Sequence, residues 1–101
     1  MGEVIGFPQR PRRVEPEPLW REAVGRELRT ERHANERTLA DVAQRAGVSI
    51  QYLSEVERGL KEPSSEVLSA VAGALGLRLF DLTSRVARSL GRISGPMALA
   101  A

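Results

Sequence analysis

The side chains able to do chemistry in this sequence are almost all charged or hydrogen-bonding ones. Cysteine is absent and His33 is the only histidine, so no thiol nucleophile or disulfide can form, a zinc cluster is not expected, and any Ser-His relay would rest on His33 alone. His33 itself reads as a surface residue. Lys and Arg number 15 and Asp and Glu 13, a formal charge of +2. These groups bind and orient; they do not form an acid/base or nucleophile constellation. The chain is expected not to be an enzyme, and to need neither a metal nor a cofactor. Residues 19–59 carry seven charges of each sign, so any nucleic-acid footprint has to be local and geometric.

Such groups need a scaffold. The 101 residues allow one domain, and with only Phe7, Trp20, Tyr52 and Phe80 aromatic, a core of Leu, Val and Ala favours helices. The expected class is all-α. Residues 1–17 hold Pro8, Pro11 and Pro16 with Arg10, Arg12 and Arg13, and Pro18 stands at their boundary. This reads as a flexible arm, either solvated or touching DNA. Residues 18–93 read as the folded domain and residues 94–101, with Gly95-Pro96, as a flexible tail. No apolar run nears the ~20 residues needed to span a bilayer, and no signal-peptide layout is present, so a cytoplasmic, nucleoid-associated protein without membrane contact is expected.

Five helices follow from periodicity and caps. Trp20, Val24 and Leu28 recur every four residues in the first. Thr38 caps a second that stops at Gly47, Ser49 a third over 50–58 that Gly59 ends, and Ser64 a fourth that closes at Gly76. Leu79, Leu82, Val86 and Leu90 mark a fifth. Only Gly47, Val48 and Ser49 join the second and third helices, which suits two short helices crossing steeply. Ala43 has to be small beneath the crossing, Gly47 can take left-handed backbone, and Leu53 and Val56 turn inward.

The blocks Thr38-Leu39-Ala40-Asp41-Val42-Ala43, Gly47-Val48-Ser49, Tyr52-Leu53-Ser54, Glu57-Arg58-Gly59 and Pro63-Ser64 resemble those of the phage Cro/repressor (XRE) helix-turn-helix family, over residues 24–83. The resemblance implies a five-helix domain, here with an extended last helix, whose third helix enters the major groove of double-stranded DNA. It also implies a homodimer on a palindromic operator. Ser49, Ile50, Gln51, Tyr52 and Glu55 would face base edges: Gln51 can pair with adenine, Glu55 can accept from cytosine N4, and Ile50 can meet a thymine methyl. The alternative at each is an ordinary exposed side chain. Arg37, Thr38, Arg45, Arg58 and Lys61 would meet phosphates, with N–H groups at helix starts. Many members begin the second helix with a glutamine that braces the backbone; Leu39 stands there instead. Arg32 and Glu57 would form an internal ion pair of structural purpose.

After the fourth helix and Leu77, Leu79 and Leu82 close a small core, Val86, Leu90 and Ile93 look surplus. With Phe80 they are expected to form the dimer contact, unless the helix folds back on its own domain. Leu19-Trp20-Arg21-Glu22, Tyr52 to Gly59, Lys61-Glu62 and Ser64-Ser65-Glu66 further resemble an actinobacterial group of Clp-gene regulators, which activate genes for ATP-dependent proteases. Leu99-Ala100-Ala101 is similar to the end of the tag that marks stalled bacterial products for Clp proteases, and suggests recognition by a Clp unfoldase. The expected function is a transcriptional activator of proteolysis genes. A DNA-binding antitoxin or phage-type repressor of the same fold, and a helical interaction module, are the rivals.

Overall fold

Five helices make up the described part of the chain, residues 19–100 of a computed structural model, with side chains as far as Gly91. They are α1 (Trp20–Ala34), α2 (Leu39–Ala46), α3 (Ile50–Glu57), α4 (Ser65–Ala74) and α5 (Leu79–Ala100). The arm at 1–17, Pro18 and Ala101 lie outside the described residues, as do the side chains of Ile93, Leu99 and Ala100.

Local chemistry sets the starts. Thr38 Oγ1 accepts from the Asp41 N–H at 3.0 Å, Ser49 Oγ from Tyr52 at 3.0 Å and Ser64 Oγ from Val67 at 3.1 Å. Each cap satisfies a helix-end donor and stabilises by about 1 kcal/mol. Leu19 has no capping side chain of its own; its N–H donates to Glu22 Oε1 at 3.0 Å. Gly47 leaves α2 at φ 77°, a left-handed backbone that a β-carbon would strain.

α1 packs on α3 and α5, α2 on α3 and α4, and α4 on α5. Leu28, Leu53 and Leu82, with Val24, Val42 and Val71, are fully or almost fully buried where these helices meet. Each such side chain stabilises by roughly 1.5–3 kcal/mol through burial. α1 and the end of α3 approach closely: a β-carbon on Gly25 would lie 2.4 Å from the Val56 carbonyl oxygen and 2.5 Å from that of Glu57. Backbone meets backbone there, which offsets what a mid-helix glycine costs. No single helix among the described residues is long and apolar enough to cross a membrane.

The structure differs from the sequence expectations in three places. Trp20 heads the apolar stripe of α1 yet stays 36% exposed, because the first turn overhangs the core and only Ala23, Val24 and Leu28 reach it. α5 passes Ile93 and runs to Ala100, so no break in secondary structure marks residue 94. Met97, Ala98, Leu99 and Ala100 are good helix formers, set against the roughly 3 kcal/mol that a proline inside a helix costs. Val86 is not surplus. It is completely buried in the core of its own domain, because α5 lies along α1, where Arg85 also pairs with Glu31. Of the proposed dimer residues, Leu90 is half-buried against the same core and Phe80 is 71% exposed.

Candidate nucleic-acid interface

α3 has two faces of different chemistry. Leu53, Val56 and Glu57 are buried, which fixes the helix in the domain and decides what it can present. Ser49, Ile50 and Gln51 are exposed at its start, and Tyr52 and Glu55 are partly buried beside them. Tyr52 leans on the hydrophobic core. Gln51, Glu55 and Arg58 follow at i, i+4 and i+7, so they line one outward edge. The result is a short helix with a free N-terminal end and a stripe carrying an amide, a carboxylate and a guanidinium, groups matched to base edges and phosphates.

The cations around α3 are less free than the sequence suggests. Arg37 Nη1 donates to Asp41 Oδ2 at 2.9 Å and Arg45 Nε to Asp41 Oδ1 at 3.3 Å. The Arg37 guanidinium, helped by Arg45, holds the Asp41 carboxyl below its ordinary range. Lys61 Nζ lies 3.8 Å from Glu55 Oε1, so a residue expected at phosphate neutralises one expected at a base. Arg58 is exposed and makes no ion pair among the described residues. Thr38 spends its hydroxyl oxygen on capping, with its side chain at the surface.

Arg32 and Glu57 stand apart from this surface. Arg32 Nε donates to Glu57 Oε2 at 2.7 Å and Nη2 to Oε1 at 2.9 Å, with the two side chains 12% and 5% exposed. Hydrogen bonding to Glu57 raises the Arg32 pKa. The third arm, Nη1, donates to the Arg37 carbonyl at 3.0 Å. One guanidinium therefore ties the end of α3 to the end of α1 and to the turn before α2. Exposed His33 lies beside it, Nε2 at 3.4 Å from Arg32 Nη2.

Sequence reasoning missed several groups. The placing of Asp41 between Arg37 and Arg45 was available in the i−4 and i+4 spacing. Gly25 could have been suspected as an isolated glycine inside a helical pattern. Arg21 Nε donates to the Gly59 carbonyl at 3.1 Å and secures the turn after α3; no local signal announces that contact. Among the described residues no cluster of His, Cys, Asp or Glu could hold a metal ion.

Similarity to known proteins agrees with this geometry. The profile of the Helix-turn-helix family HTH_3 matches residues 26–82, more than half of the chain. The transcriptional regulator ClgR of Mycobacterium tuberculosis is 53% identical over 74 residues, which are 69% of this chain. The chain spans 66% of the length of that relative. The immunity repressor protein of Bacillus phage phi105 is 38% identical over 56 residues, 55% of this chain and 39% of that protein. Among solved structures, the clp gene regulator ClgR from Corynebacterium glutamicum matches with a TM-score of 0.75 at 45% identity, covering 84% of this chain and 90% of that one. The chain belongs to the HTH_3 (XRE) helix-turn-helix family, DNA-binding transcriptional regulators without enzymatic activity.

Proposed function

We propose that this regulator reads a palindromic operator as a homodimer and activates genes for Clp proteases and related quality-control factors. The observation that carries the gene assignment is the 53% identity to a ClgR over 74 residues. The capped, outward-facing start of α3 supports base reading by Ser49, Ile50, Gln51, Tyr52 and Glu55. Arg37, Thr38, Arg45, Arg58 and Lys61 surround it as the phosphate-facing set. Phe80, exposed on α5, is the side chain best placed to bury apolar surface against a second copy, with Leu90 and Ile93 further along the helix. A two-fold dimer sets its reading helices about 34 Å apart, one turn of B-DNA.

Selection of bound sequences from a random duplex pool tests this reading. The expected result is a palindromic motif that recurs upstream of protease genes. A motif found only at the regulator's own promoter would favour a phage-type repressor, a reading supported by the immunity repressor similarity. The Leu99-Ala100-Ala101 segment is proposed as a handle for a Clp unfoldase. Replacing Ala100 and Ala101 with aspartate should lengthen the half-life in cells, and unchanged turnover would refute the handle.

A further inference from the structure

We propose that Asp41 is a positioning residue for the DNA grip: it holds Arg37 and Arg45 side by side so that both meet one stretch of phosphate backbone. The inference rests on the DNA-reading proposal and adds a specificity-determining role for an acid among the phosphate-facing residues. Each Asp41 oxygen takes one guanidinium, Oδ2 from Arg37 at 2.9 Å and Oδ1 from Arg45 at 3.3 Å. Arg37 is engaged through Nη1 alone and Arg45 through Nε alone among the described residues. Each therefore keeps N–H donors for a phosphate oxygen.

The carboxylate is itself fixed. Its own N–H is bound by the Thr38 cap at 3.0 Å, and the turn carrying Arg37 is fixed by Arg32 Nη1 on the Arg37 carbonyl at 3.0 Å. A line of contacts thus runs from Glu57, at the end of the reading helix, through Arg32 and the Arg37 backbone to the Arg37–Asp41–Arg45 cluster. The two arginines are held in register with α3. Free arginines would have to lose side-chain freedom on binding; the bonds to Asp41 bias these two towards one arrangement beforehand. The cluster retains a net +1, so it attracts phosphate while resisting indiscriminate contact.

This arrangement separates two effects of removing Asp41. Affinity for any duplex responds to total positive charge, whereas affinity for the operator responds to ordered contacts. The experiment measures binding of the full chain to its selected palindrome and to a scrambled duplex of equal length, across a salt series, for the wild type, Asp41→Asn and Asp41→Ala. The expected result for Asp41→Ala is unchanged or tighter binding to the scrambled duplex with weaker binding to the palindrome, so that the ratio of the two falls about tenfold. Asp41→Asn, which keeps one acceptor oxygen, should fall between, and serves if the alanine variant fails to fold. A second readout is coupling: Arg45→Ala should cost less in the Asp41→Ala background than in the wild type. An unchanged or higher ratio, or strict additivity, overturns the role. Wild-type chain that binds both duplexes equally would instead refute the DNA-reading proposal beneath it.

Discussion

Two arginine–carboxylate clusters lie on either side of the turn between α1 and α2 and answer to different physics. Arg32 and Glu57 are almost fully enclosed, with two parallel hydrogen bonds and a third donor on backbone. Arg37, Asp41 and Arg45 keep 34%, 38% and 56% of their side-chain surface in solvent. Water screens the second cluster, so its pairs contribute little to stability. The first cannot lose a partner without stranding a charge. Equal chemistry therefore divides by burial into a group that holds the domain together and a group available to a partner.

Substitution should sharpen that division most strongly at the buried pair. Arg32→Ala leaves the Glu57 carboxylate without its counter-ion and is expected to cost about 3–5 kcal/mol, read as a marked fall in Tm. Normal stability would break the contrast. Gly25→Ala forces a β-carbon against the Val56 and Glu57 carbonyls beside the same pair; overpacking of this kind costs typically 1–3 kcal/mol, measurable by urea unfolding. Gln51→Ala, on the exposed edge of α3, should leave Tm unchanged. Its expected effect is a loss of about 1–3 kcal/mol in binding, with relaxed preference at one base pair in each half-site.

The smallest effect concerns acid. The Asp41 carboxyl is depressed in the folded chain by Arg37, and that of Asp81 by the Arg78 backbone N–H and then its side chain. A depressed carboxylate stabilises above its unfolded value near 3.8 and loses that contribution as pH falls through the lower, folded value. Thermal melts should therefore be flat in this respect above about pH 5 and show a slight loss towards pH 3. Asp41→Asn and Asp81→Asn should each reduce it.

What could be read from sequence was whatever local chemistry decides. Thr38, Ser49 and Ser64 announce their helices because a hydroxyl three residues before a free N–H is a short-range device. Gly47 likewise marks its turn. Burial was harder. Whether Val86 is covered depends on α5 lying along α1, elements whose contacting residues Arg85 and Glu31 are 54 positions apart, and periodicity is silent about such pairings. Trp20 shows the reverse error: its spacing fits the apolar stripe, but the end of a helix can project past the core that the stripe serves. On the candidate site, residue types announced what α3 could bind and helical spacing put Asp41 within reach of Arg37 and Arg45, yet neither showed that those bonds form or that Glu55 lies beside Lys61. Those pairings arise from rotamers and turn geometry.

The pairing of these surface charges also bears on time. Glu55 beside Lys61 turns two separate charges into a local dipole, and Asp41 leaves one net charge where Arg37 and Arg45 would supply two, so the field reaching outward is weaker than that of the same cations alone. At physiological ionic strength charges beyond about 8 Å are already screened. A surface of this kind gathers little electrostatic acceleration as it approaches a polyanion. For a protein built this way, discrimination between sites is expressed in dwell time after contact rather than in speed of arrival.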